Sequence, residues 1–220
     1  RDKQNNLKKS EQYNLQALRI NKRMVSEDSL NVFLYAMTLN SLGVLYNDTK
    51  RFSESEKMYL EALKIRKKIN AEFLHQLDGY VAGSYNILAA LYTEMKRFPE
   101  SKEAYEKAIN IYREQVGTSN KGDMSNLAIC LSNLGGLYSD IKGIKESESC
   151  FKEAINMYKH LCATSQSKYD FDYSIALNGL AVLYSETNRF EESNSIFEEV
   201  IKIQKELATK NPMAYQPELV

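Results

Sequence analysis

The side chains with most chemistry to offer are amides and carboxylates that recur at one fixed interval. Asn40, Asn86 and Asn178, with Ser132 in the third place, stand 46 residues apart in register. Asp48, Glu94, Asp140 and Glu186 keep the same step. An asparagine amide both donates and accepts, so a row of them can hold the backbone of an extended peptide whatever its sequence. A row of carboxylates favours Lys or Arg on the bound segment and opposes acidic tails. Between these rows lie Val44, Ala90, Gly136 and Val182, small enough to let a backbone approach, and Ser41, Ile87, Asn133 and Gly179. The expected partner contacts are Asn40, Val44, Asp48, Asn86, Ala90, Glu94, Asn133, Gly136, Asp140, Asn178, Val182 and Glu186. Two plainer readings stay open: asparagines that tie neighbouring helices together, and carboxylates that merely solvate helix ends.

Catalytic constellations are missing. The two histidines, His75 and His160, have no Cys, Asp or His at a spacing that would complete a metal site. No phosphate-cradling glycine motif occurs. Ser55, Ser101, Ser147 and Ser193 recur in register, but no histidine recurs beside them. They read as packing residues whose hydroxyls bond back to the carbonyl one turn earlier. Cys130, Cys150 and Cys162 form no CxxC pair, and an odd count forbids a complete disulfide framework. They read as small buried or half-buried side chains on helices. No enzyme activity, cofactor or metal is expected.

Charge excludes further classes. Twenty-nine basic and 29 acidic residues cancel to a net charge of zero, with an isoelectric point near 6.9. That is no footprint for nucleic acid or for an anionic membrane surface. The longest apolar run, Ile87 to Tyr92, is far too short to cross a bilayer. Fifteen tyrosines, many at repeat packing positions, read as core and groove filling rather than base stacking. Asn47-Asp48-Thr49 fits a glycosylation sequon at a helix end. Neither compartment nor partner identity is legible.

The elements that carry these rows follow from the interval itself. Leu39-Asn40-Ser41-Leu42-Gly43-Val44-Leu45-Tyr46 is rewritten at 85–92, 131–138 and 177–184, so that Tyr46, Tyr92, Tyr138 and Tyr184 are in strict register. A period of this size marks a solenoid, in which each unit touches mainly its neighbours. Each unit reads as two amphipathic helices, apolar residues recurring three and four apart. The first helices are expected over roughly 31–48, 74–95, 123–141 and 171–187. The second are expected over roughly 52–69, 98–116, 145–163 and 190–209. A lone second helix, 7–25, precedes them after a frayed polar start at 1–6. The units are thus 31–70, 74–116, 123–163 and 171–210, with 211–220 opening a further one. Half-units at both ends suggest a piece of a longer array.

The turns carry their own pattern: Lys50-Arg51-Phe52, Lys96-Arg97-Phe98, Lys142-Gly143-Ile144 and Asn188-Arg189-Phe190. The aromatic or Ile is expected to plug the core. Ser53 with Glu56 fits a capping box. Pro99 suits the first helical position. Glu54, Glu100, Glu146 and Glu192 meet the positive end of the helix dipole. Tyr59, Tyr105, Phe151 and Phe197, followed three positions on by Ala62, Ala108, Ala154 and Val200, alternate large with small at the helix crossing. Lys64, Arg66, Lys67 and Lys68 read as surface charges suited to a helix C-terminus.

Leu-Gly/Ala-x-x-Tyr in the first helix, with Ser55, Tyr59 and Ala62 and their equivalents in the second, resembles the tetratricopeptide repeat. The long second helix and the Leu-Asn-x-Leu-Gly wording are similar to the longer repeats of the kinesin light chain type. The period exceeds the family's usual 34, Ser stands where Ala is usual, and the turn lacks its usual Gly. The resemblance implies an all-α fold: a right-handed superhelical α-solenoid of antiparallel helix pairs, about nine helices in all. It also implies a concave groove, lined by the first helices, that binds a protein or peptide segment. The acidic row adds a preference for basic residues on that partner, and the basic carboxylate clamp of chaperone-type members is not carried over. The chain therefore reads as a non-catalytic interaction scaffold. The alternatives are a regulatory segment of a larger protein and a module that self-associates through its open ends.

Overall fold

The computed structural model describes residues 2–24, 29–72, 76–116, 121–164 and 168–210, and every regular element among them is an α-helix. In chain order these are α1 (Asp2–Met24), α2 (Ser29–Asp48), α3 (Phe52–Glu72), α4 (Asp78–Glu94) and α5 (Phe98–Val116). They continue with α6 (Lys121–Asp140), α7 (Ile144–Thr164), α8 (Asp170–Glu186) and α9 (Phe190–Lys210). The expected helix pairs are present. The polar start is helical from Asp2 rather than frayed, and α4 begins at Asp78, later than the periodicity implied. α6 begins at Lys121, inside the stretch expected to be a connector. The expected linker at 26–29 and the further repeat at 211–220 lie outside the described residues, except that Ser29 already opens α2.

The chain divides into two compact units, Arg1–Ile111 and Tyr112–Val220. In the first, α2 packs on α3 as a hairpin, α1 packs on α2, and α3 on α4. In the second, α6 pairs with α7 and α8 with α9, while α7 and α6 both touch α8. The core of the first unit gathers Tyr59, Leu63, Val81, Leu88 and Leu91, with Phe52 and Tyr92 packed against it. In the second, Leu134, Leu137, Phe151, Ile155, Tyr158, Leu180 and Leu183 are all buried. The register of the sequence is thus the register of burial.

Each hairpin is closed the same way. The second residue after α2, α4, α6 or α8 adopts the left-handed conformation: Lys50, Lys96 and Lys142 at φ of 60–63°, and Asn188 at 61°. Arg51 N–H then bonds Tyr46 C=O at 2.8 Å and Lys50 N–H bonds Asn47 C=O at 2.9 Å, which satisfies carbonyls that the helix end would leave orphaned. The turn geometry expected of glycine is therefore made by lysine. The capping box at Ser53 does not form, because α3 starts one residue earlier and Arg51 stands outside it. Arg51 Nε instead donates to Glu54 at 2.7 Å, and its guanidinium lies 4.2 Å from the Tyr46 ring centroid. Arg97 with Glu100 and Tyr92, and Arg189 with Glu192 and Tyr184, repeat this arrangement. Each arginine also reaches a glutamate one helix pair back: Glu11, Glu56 and Glu148 at 2.8–2.9 Å. The Glu54, Glu100 and Glu192 carboxyls are held below their ordinary range chiefly by these arginines.

The recurrent serines are buried, but their hydroxyls do not bond back along their own helix. Ser55, Ser101, Ser147 and Ser193 donate across the hairpin to the carbonyls of Gly43, Ala89, Gly135 and Ala181, each at 2.8 Å. The small residue at each acceptor keeps the two backbones close enough for this bond.

Candidate partner-binding faces

In the first unit the expected positions lie along one face of α2 and one face of α4. Val44 and Asp48 are exposed and Asn40 is half-buried. On α4, Ala90 and Glu94 are exposed and Asn86 is half-buried. The amides are not equivalent. The Asn40 oxygen accepts from both terminal nitrogens of Arg66, at 2.8 and 2.6 Å, in the amide orientation that satisfies both groups. Arg66 is buried rather than a surface charge: Nη1 also donates to Ser84 Oγ at 2.7 Å, so this side chain joins α2, α3 and α4. Removing a guanidinium from water requires such partners. The sequence expectation for Arg66 is corrected accordingly.

The acidic row is partly engaged. Glu94 accepts from Asn47 Nδ2 at 2.9 Å and from Lys50 Nζ at 3.0 Å, and these two donors lower its pKa. Glu186 faces Lys142 at 3.7 Å. These exposed pairs contribute little to stability, yet they fix the carboxylates beside the turn of the preceding hairpin. Asp48 and Asp140 are exposed.

In the second unit Asn133 and Asp140 on α6, and Asn178, Val182 and Glu186 on α8, are exposed. Gly136 faces open space: a β-carbon built there would meet nothing within 4 Å. Gly179, placed by the sequence in the same outward set, is not part of it. A β-carbon at Gly179 would overlap the Phe151 ring, so this glycine admits the aromatic of α7.

The main feature that sequence reasoning missed is apolar. Leu34 and Met37 continue the α2 face beyond Val44 and are 40 % and 47 % exposed. Tyr80, one period after Leu34, is half-exposed on α4 and makes an edge-to-face contact with Phe33 at 5.0 Å. On α8 the extension is Phe171 and Ile175. Extending the outward columns one or two turns toward the helix N-termini would have found Leu34, Met37, Tyr80 and Ile175. The motif that attracts the eye begins only at Leu39.

Reactive groups are quiet. Burial pushes the Cys130 thiol up to about 12 and the Cys150 and Cys162 thiols to about 11, so none forms a thiolate near neutrality. The four serine hydroxyls are committed to carbonyls. Among the described residues no group of three or more His, Cys, Asp or Glu could hold a metal ion. No described helix is long and apolar enough to cross a membrane. His160 is exposed, and His75 lies outside the described residues.

Comparison with known proteins places this geometry. Models of the tetratricopeptide repeat match residues 80–160 and, separately, 36–72 and 175–208. No curated protein matches by sequence. Among solved structures, BtubC (BKLC) from P. vanneervenii superposes with a TM-score of 0.66 at 17 % identity, over 97 % of this chain and 95 % of that one. A putative kinesin light chain with nearly identical TPR-like repeats from Podosopora anserina gives 0.66 at 14 % identity, over 94 % and 91 %. Aspartyl phosphate phosphatase F from Bacillus subtilis gives 0.64 at 17 % identity, over 87 % of this chain and 45 % of that one. At such identities the likeness is one of fold, and the fold is typically non-catalytic. The matched segments take in most of the chain, in phase with its four helix pairs, and it belongs to the tetratricopeptide repeat family.

Proposed function

We propose that this chain is a non-catalytic scaffold that holds a peptide or partner segment against the outward faces of its first helices. A protein–protein interaction role follows from the family. The finer assignment rests on one observation: Leu34, Met37 and Val44 stand in a row on α2 with 40–48 % of their surface in water, although positions beside them in sequence are fully buried. Apolar side chains aligned on one face, rimmed by polar groups, mark surfaces that other molecules cover. The proposed contacts are Asn40, Val44, Asp48, Asn86, Ala90 and Glu94 in the first unit. In the second they are Asn133, Gly136, Asp140, Asn178, Val182 and Glu186. An occupant with apolar side chains followed by Lys or Arg fits these faces, because those of α2, α4 and α8 run from exposed apolar residues to a carboxylate.

Selection of peptides from a random library against the full chain, followed by titration, tests this reading. Gly136→Phe, Val182→Arg and Asn178→Ala are expected to leave the helical circular dichroism intact. The first two should weaken a selected peptide by about tenfold or more. Peptides that bind these variants as well as the native chain would reject the assignment. A second reading, a regulatory segment of a longer protein, has one supporting fact: this chain superposes on 45 % of the longer Bacillus subtilis phosphatase chain.

A further inference from the structure

We infer that Asp172, near the start of α8, seats a Lys or Arg side chain of the bound segment, an assignment that rests on the scaffold reading above. A carboxylate partly withdrawn from water needs a cation or hydrogen-bond donors. Among the described side chains, every other half-buried carboxylate has one. Arginines serve Glu11, Glu56, Glu100, Glu148 and Glu153. The Tyr35 hydroxyl serves Glu61, the Asn70 amide serves Asp78, and Lys210 faces Asp170. Asp172 is half-buried too, yet it has neither an ion pair nor a hydrogen bond among the described residues. Burial alone pushes its pKa above the ordinary value.

The surroundings of this carboxylate differ from those of its counterpart in the first unit. There Tyr80 on α4 packs edge to face on Phe33 of α2, ring centroids 5.0 Å apart. Two periods on, the same two positions on α8 and α6 are Asp172 and Ser125, and α6 and α8 are in contact. Two short polar side chains thus stand where two rings closed the corner. Behind them lies α7. Burial first, and then the Asp172 charge, push the Tyr158 hydroxyl up, and Cys162 on the same helix also feels that charge. The carboxylate is therefore turned toward a helix that is present, not toward the end of the described chain. Lys168 is close in sequence, but its ammonium lies 5.1 Å from the Tyr169 ring centroid. Phe171 and Ile175, on either side of Asp172, are 47 % and 51 % exposed. The stem of a Lys or Arg can lie along Ile175 while its charged head meets Asp172 and the Phe171 ring. The α8 face reads carboxylate, apolar residues, carboxylate, from Asp172 to Glu186. The occupant it fits carries a basic residue at each end of an apolar stretch.

The test selects short random peptides on the full native chain and titrates the tightest against the native chain, Asp172→Asn and Val182→Arg. Circular dichroism melts check that each variant remains folded. The peptide is expected to carry a Lys or Arg whose replacement by norleucine or citrulline weakens binding about tenfold. Asp172→Asn should weaken the original peptide about as much. On that variant the replacement should cost less than about twofold, because the pair is already broken. A peptide that is weakened by Val182→Arg but binds Asp172→Asn as well as the native chain overturns the inference and leaves the scaffold reading standing. One weakened by Asp172→Asn and indifferent to Val182→Arg supports the seat and rejects the scaffold face. Indifference to both overturns both. Should the library yield no binder, the scaffold reading falls and butylguanidinium decides the seat. In an NMR titration it should shift the Phe171 and Ile175 amide signals of the native chain and not those of Asp172→Asn. Signals that stay still in the native chain overturn the inference.

Discussion

The hydroxyl of Ser147, buried on α7, donates a 2.8 Å hydrogen bond to the main-chain carbonyl of Gly135 on α6. The bond spans a hairpin twelve residues long, and it recurs in every pair, so it sets the distance at which first and second helices meet. Ser147→Ala is expected to cost about 1 kcal/mol, the usual net value of one buried neutral hydrogen bond. Ser101→Ala should cost less, since Thr93 Oγ1, which meets Ser101 Oγ at 2.7 Å, stands 3.1 Å from the same Ala89 carbonyl and can donate to it once the serine hydroxyl is gone. Urea unfolding of the two variants beside the native chain measures both. Equal losses would contradict the role assigned to Thr93.

Two glycines in equivalent-looking helices should respond oppositely to a methyl group. A β-carbon at Gly43 would overlap the ring of Tyr59, a side chain only 4 % exposed. Gly43→Ala is therefore expected to destabilise by about 1–3 kcal/mol through overpacking. At Gly136 the added carbon meets nothing, and the helix gains from a residue less costly to order. Gly136→Ala should stabilise by about 0.5–1 kcal/mol. Thermal melts that moved in the same direction for both would refute the packing described.

Lys96 holds φ at 60°, a conformation costly for a residue with a β-carbon. Lys96→Gly is expected to raise stability by about 1 kcal/mol, the ammonium 5.8 Å from the Phe98 ring being a small loss. Asn188→Gly should gain only a few tenths of a kcal/mol, because asparagine tolerates the left-handed region. Comparison of the two midpoints in one denaturant series tests the ranking.

Acid should act through Glu148. Lys152 first, then Tyr184 and Arg189, donate hydrogen bonds to its carboxylate and hold its pKa at about 2 instead of 4.5. A carboxyl depressed in the folded state contributes its full stabilisation above the ordinary value. That contribution is lost as pH falls from about 4.5 toward about 2. Glu148→Gln is expected to cost about 1–2 kcal/mol at neutral pH, a midpoint lower by about 3–6 °C. Near pH 2 the variant and the native chain should melt alike. A gap that persists in acid would mean that Glu148 acts through packing rather than charge.

The interval of 46 residues was enough to establish helix pairs, their order and most of their core. Leu42, Leu88, Leu134 and Leu180 occupy one column and all are buried. Large and small residues alternate in phase because two helices can approach only where one side is small. The outward positions of the candidate site were legible for the same reason, as the complement of the buried columns. The state of each side chain within them was not legible. Spacing alone gives Arg66 the look of a surface charge beside Lys67 and Lys68. Only the folded chain brings Asn40 and Ser84 within 3 Å of it, and those partners are what make its burial tolerable. In the same way Ile201 and Ile155 are the same residue at the same repeat position, yet one is exposed and the other is not. Periodicity specifies which face of a helix is able to be covered. Burial needs a second element to do the covering, and that is a property of the tertiary arrangement.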